Sequence, residues 1–214
     1  MNKERGGWKR KKSLGTALAM AIAAALAAPL VLTIVNSGWL NPDAAVVVHS
    51  AYAIQKIDCS EQIDGDICFG TEGDDIIVGC GEEEISALGG NDKVQCEAGT
   101  NRINGGGGDD NLRGGDDNDQ VTGGEGNDRV RGEAGGDEVS GSLGNDYVYG
   151  GSGNDDVEGG PGNDNVYGNN GNDFVFGGEG DDVLVGGSGA DEFVCAEMEE
   201  IKDFDASEGD TCEP

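Results

Sequence analysis

A chain of 214 residues with 41 glycines, 5% aromatic residues and a formal net charge of -30 departs from ordinary globular composition. Low hydrophobicity with high net charge signals disorder unless a strict repeat overrides it. The sign of the charge excludes nucleic acid, whose phosphates select basic surfaces, and points to cations as partners.

The first element in chain order is basic, then apolar. Lys3, Arg5, Lys9, Arg10, Lys11 and Lys12 precede an apolar run from Leu14 to Val35, and Ala51, Tyr52 and Ala53 supply a small-residue cleavage pattern. Residues 1–53 therefore read as a secretory signal. The run counts 22 residues, enough to span a bilayer, so an uncleaved membrane anchor with its basic end inside the cell is the alternative. Both readings place the remainder outside the cytosol, secreted or held at the cell surface. The cysteines agree: Cys59, Cys68, Cys80, Cys96, Cys195 and Cys212 are even in number, which in an exported chain reads as disulfides. Proximity pairs Cys59 with Cys68, Cys80 with Cys96 and Cys195 with Cys212.

Residues 54–104 read as an N-terminal cap holding degenerate copies of a nine-residue phrase. The segment GTEGDDIIV from Gly70 carries Asp75 but sits one residue out of register. ALGGNDKVQ, residues 87–95, carries Asp92, and CEAGTNRIN, residues 96–104, has Asn101 where aspartate is expected. From Gly105 to Val194 the frame runs unbroken through ten repeats, with glycine always first. Its sixth position is always aspartate: Asp110, Asp119, Asp128, Asp137, Asp146, Asp155, Asp164, Asp173, Asp182 and Asp191. Its eighth is always apolar, from Leu112 through seven valines to Leu184 and Phe193. A solvated linker would not hold an apolar residue at every ninth place. Alternation along a minimal strand sends that residue inward and its two neighbours outward, while the Gly, Asn and Asp residues suit tight turns.

The phrase G-G-x-G-x-D-x-U-x resembles the RTX-type (hemolysin-type) calcium-binding nonapeptide repeat. The resemblance covers residues 105–194 strongly and 70–104 loosely. It implies an all-β fold, a right-handed parallel β-roll (a solenoid) with two repeats per turn, disulfide-stapled ends and Ca²⁺ between successive loops. The implied metal ligands are the ten aspartates above, with Asp92 and Asp75. Eighteen residues per turn sorts the ten into two columns of five, whose gaps would hold up to eight ions. The weak gaps would lie at Gly114–Thr122, where Asp117 replaces a glycine, and Gly132–Ser140, where Glu133 does. One buried valine per repeat does not offset the entropy of ordering nine residues, so a hard cation with six to eight oxygen ligands is expected to drive folding. Magnesium prefers to keep its waters, and zinc finds no ligand set, because the cysteines lie outside the array and His49 is the only histidine.

Residues 195–214 read as a C-terminal cap in which Ile201 and Phe204 cover the last turn, and Asp203, Asp205 and Asp210 are candidates for one more ion. Outward ninth-position residues line one face: Arg113, Arg131, Tyr149, Tyr167 and Val185, flanked by Tyr147 and Val183. An adhesive face for a protein or glycan is the alternative function. A single histidine excludes H-E-x-x-H, and G-x-S-x-G is absent, so no enzyme is expected.

Overall fold

The computed structural model describes residues 54–59, 67–81, 84–194 and 200–213. The expected leader, residues 1–53, and Cys195 lie outside them.

Among the described residues, eighteen strands form two parallel sheets of nine. Odd-numbered strands in chain order make the first sheet and even-numbered strands the second. Each coil therefore lays down one strand on each face of an all-β parallel solenoid. Registers step by eighteen residues through the regular part, as in Val139 beside Val157 on the second sheet and Val148 beside Val166 on the first. That step is two repeats per coil, as the resemblance implies.

Strands are longer than the three-residue minimum that alternation suggests. From Arg102–Gly107 to Val183–Ser188 each strand has six residues, covering positions seven to nine of one repeat and one to three of the next. The glycine pairs keep pairing with their counterparts a coil away, as Gly106 does with Gly124, so the turn shrinks to positions four to six. Position four favours glycine: Gly153 has φ 136°, and a Cβ there would overlap the Gly135 carbonyl one coil back.

The core is two single-file columns. On the first sheet Ile77, Val94, Leu112, Val130, Val148, Val166 and Leu184 stack inward, and on the second Cys68, Ile85, Ile103, Val121, Val139, Val157, Val175 and Phe193 do the same; all are buried.

Two disulfides staple the N-terminal end, Cys59–Cys68 and Cys80–Cys96. The second joins register partners on adjacent strands of the first sheet. Cys212 is disulfide-bonded too, while its expected partner Cys195 lies outside the described residues. At the C-terminal end the cap continues the solenoid. Ile201 pairs beside Leu184, Cys212 beside Phe193, and the Phe204 ring sits 6.3 Å from that of Phe193.

The two repeats flagged for lost glycines keep a positive φ at those positions, with Asp117 at 72° and Glu133 at 87°. Ser142, in the second position of its repeat, is held at φ 79°, where a side chain costs about 1–2 kcal/mol. Ser142→Gly is expected to stabilise the folded roll by about 1 kcal/mol, read as a higher thermal midpoint. A lower midpoint would show that this backbone carries no strain.

Candidate metal centre

The sixth-position aspartates are buried, each no more than 4% exposed across the ten regular repeats. They interlock from coil to coil. The Asp110 N–H donates to Asp128 Oδ1 at 2.8 Å, the Asp128 N–H to Asp146 Oδ1 at 2.7 Å and the Asp146 N–H to Asp164 Oδ1 at 2.7 Å. The other column repeats the pattern through Asp119, Asp137, Asp155 and Asp173 to Asp191.

Both ladders run further than five rungs. Asp75 and Asp92 extend the first, at 2.7 Å each, with a 17-residue step from Asp75 that absorbs the register slip. Asp210 ends the second by accepting from the Asp191 N–H at 3.1 Å. Asp203, Asp205 and Asp210 do not gather into an ion site. Asp203 accepts from the Gly186 and Gly187 N–H groups, Asp205 from Ser207, and Asp210 also accepts from the Asp205 N–H. They cap exposed N–H groups of the last turns.

A second ladder runs the opposite way and has no counterpart in the sequence reading. Fifth-position Asn and Asp side chains accept from the next coil's backbone: Asn127 N–H to Asp109 Oδ1, Asn145 N–H to Asn127 Oδ1 and Asn163 N–H to Asn145 Oδ1, at 2.8–3.1 Å. Neighbouring positions thus tie each turn both up and down the stack. The recurrent asparagine at position five was the available signal.

One carboxylate oxygen is left over in each aspartate rung from Asp75 to Asp191. Each of the twelve aspartates expected as ligands, from Asp75 to Asp191, has one buried side-chain oxygen with no hydrogen-bond partner. Its surroundings are oxygen. A Cβ placed on Gly150 would lie 2.6 Å from Asp155 Oδ2 and 2.9 Å from the Gly168 carbonyl oxygen, and one on Gly159 would lie 2.6 Å from Asp164 Oδ2 and 2.5 Å from the Gly177 oxygen. Gly150→Ala is therefore expected to cost about 1–3 kcal/mol by overpacking, read as a lower thermal midpoint with calcium present. An unchanged midpoint would mean the turn opens freely.

Asn101 shows what this space accepts. It stands in the second column, its N–H donating to Asp119 Oδ1 at 2.7 Å. Its amide nitrogen donates to the Gly99 carbonyl at 2.7 Å and to the Gly114 carbonyl at 3.5 Å. The one rung without a carboxylate fills the place with a donor. In the aspartate rungs an anionic oxygen faces that carbonyl environment with no donor, an arrangement that a proton or a cation would complete.

Electrostatics agree. Burial pushes the carboxyl groups of Asp92, Asp128, Asp137 and Asp164 up to about 7, against the lowering effect of the ladder N–H, with ladder neighbours raising them further. The same leading cause brings Asp110, Asp119 and Asp173 to about 6. Among the described residues no three His, Cys, Asp or Glu side chains converge, so an ion here would draw on fewer than three carboxylates together with backbone carbonyls. That donor set suits a hard cation of flexible geometry such as Ca²⁺.

A family model described as the RTX calcium-binding nonapeptide repeat matches residues 81–112, 97–130, 122–157, 131–166 and 158–193. Searches of the curated proteins and of the solved structures found no match. The matched segments run from residue 81 to residue 193, more than half of the chain, over the same stretch in which the carboxylates are interlocked. The chain belongs to the RTX calcium-binding nonapeptide repeat family.

Proposed function

We propose that the protein binds several Ca²⁺ ions along its two aspartate columns and that binding drives the roll to fold. The observation that carries the reading is the leftover oxygen on each of the twelve aspartates, with a glycine carbonyl of the next coil beside the same glycine in seven rungs, as at Gly150 and Gly159, and a donor in the Asn101 rung. The ligands on this reading are Asp75, Asp92 and the ten aspartates from Asp110 to Asp191, each with carbonyl oxygens of the glycine turns. Without the ion, columns of buried carboxylates oppose folding; with it, metal-binding energy becomes folding energy. The role is non-catalytic, in keeping with a single histidine and no nucleophile motif.

The buried disulfides support a location in an oxidising compartment, where calcium is plentiful and weak sites suffice. Far-UV circular dichroism of the chain titrated with CaCl₂ tests the reading. A cooperative gain of β signal is expected, reversed by EDTA and much weaker with Mg²⁺. A spectrum already β-rich in EDTA and unmoved by calcium would overturn it.

A second reading, a partner-binding face, has one observation in its favour. Tyr149 and Tyr167 stack at 4.9 Å with rings 7° from parallel, and the Arg129 and Arg131 guanidinium groups lie 5.6 and 5.7 Å from the Tyr149 ring centre.

A further inference from the structure

From residue 54 onward the chain has seven Lys and Arg residues, and they are not scattered. Lys93, Arg113, Arg129 and Arg131 occupy outward positions on consecutive strands of the first sheet. No carboxylate stands at a seventh or ninth position of that sheet from Asp75–Cys80 to Val183–Ser188. The second sheet is the reverse, with Glu84, Glu138, Asp156, Glu158 and Glu192 at those positions against one cation, Arg102.

Arg113 already pairs with Glu133 at 2.9 Å. Arg129 and Arg131 have no carboxylate partner among the described residues. Arg129 donates to the Tyr149 hydroxyl at 3.3 Å and Arg131 to Asn111 Oδ1 at 3.1 Å. Two guanidinium groups outside salt-bridge distance of every described carboxylate, with only Glu133 acting on Arg131 from further off, leave room for a counter-ion from elsewhere.

The two outer faces match in order as well as in sign. Three consecutive strands of the first sheet carry Asn111 and Arg113, then Arg129 and Arg131, then Tyr147 and Tyr149. Three consecutive strands of the second carry Glu138 and Ser140, then Asp156 and Glu158, then Phe174 and Phe176. Each member of the second series lies 27 residues after its counterpart, Asp156 after Arg129 and Phe174 after Tyr147. Because every coil contributes one strand to each sheet, both faces share one rise, and a slip of one and a half coils aligns all three steps at once.

We propose that the outer face of the first sheet docks on the outer face of the second sheet of another copy of this chain, with both axes pointing the same way. Arg129 and Arg131 then meet Asp156 and Glu158, and Tyr147 and Tyr149 meet Phe174 and Phe176. The contact is heterologous, so it leaves both outer surfaces of the pair free and adds copies open-endedly. Charge complementarity sets its register. It rests on the calcium reading, because the faces exist only once the roll is folded and because a net charge of -30 holds unloaded copies apart.

Sedimentation velocity of the calcium-loaded full-length chain over rising concentration, with circular dichroism on the same samples, tests the proposal. The sedimentation coefficient is expected to climb with concentration. The double variants Arg129→Glu with Arg131→Glu, and Asp156→Arg with Glu158→Arg, are each expected to lose that climb while keeping the β spectrum. An equal mixture of the two variants should regain it, which a merely structural role for these residues would not produce. A folded wild type that stays monomeric, or folded variants whose mixture stays monomeric, overturns the stack. Retention of the monomer on an immobilised sulfated polysaccharide, abolished by the arginine variant, would assign the face to a polyanion instead. A wild type with no β spectrum in calcium would sink the calcium reading and the stack together.

Discussion

Asp146→Asn is expected to move the calcium-loaded and calcium-free rolls in opposite directions. Asp146 is fully buried in mid-column, with Oδ1 accepting from the Asp128 N–H at 2.7 Å and Oδ2 unpartnered. Asparagine keeps the first contact. It replaces the second oxygen with a donor that can reach the carbonyls of Gly144 and Gly159, as Asn101 reaches Gly99 and Gly114. In EDTA the variant loses a buried carboxylate and gains hydrogen bonds, so its residual β content should rise. In calcium it loses a charged ligand, and the folding midpoint should move to roughly tenfold to a hundredfold higher calcium.

Asp146→Ala gives the control. It strips the ladder acceptor and leaves the Asp128 N–H unpaired, so it should weaken the roll in both conditions. Calcium titrations of the three chains by circular dichroism separate the cases. An unchanged midpoint in Asp146→Asn would remove this aspartate from the ligand set.

What the sequence disclosed and what it withheld divide along one physical line. Features fixed by period were legible, namely the inward apolar residue and the aspartate of every repeat; the parallel pairing at eighteen residues was implied by the resemblance, and the Cys59–Cys68 and Cys80–Cys96 staples by proximity. Features fixed by contact between a turn and the turn one coil away were not. The six-residue strands depend on Gly106 pairing with Gly124, which composition alone reads as loop. Asp75 looked misplaced because its coil is one residue short, yet its N–H finds Asp92 Oδ1 at 2.7 Å. Asn101 looked like a defect, and it is the rung that puts a donor toward the Gly99 and Gly114 carbonyls. Asp203, Asp205 and Asp210 looked like ligands because acidic residues cluster there, but free backbone N–H groups at the end of a stack also need acceptors.

The calcium-free chain is expected to gain β structure as pH falls, and calcium to lose its power to add to it. Burial holds the column carboxyls above their unfolded value near 3.8, to about 7 for Asp128, Asp137 and Asp164 and about 6 for Asp110 and Asp173. Each therefore grips its proton more tightly in the roll than in the unfolded chain. That difference favours the roll fully below about pH 4 and fades as pH rises through about 6 to 7, where the carboxylates must ionise in place. A proton on the unpartnered oxygen supplies the missing donor toward the carbonyls. Calcium needs the opposite state, since its ligands bind deprotonated, so its affinity should fall over the same window and the ion should release protons as it binds near pH 6. Circular dichroism from about pH 4 to about pH 8, in EDTA and in CaCl₂, reads both arms in dilute solution. Curves that lie apart near pH 8 and converge as pH falls would show proton and calcium competing for the same buried oxygens. A calcium-free spectrum flat across that range would mean that the carboxylates do not oppose folding, and the force that orders the roll would have to be sought in its hydrogen-bond ladders alone.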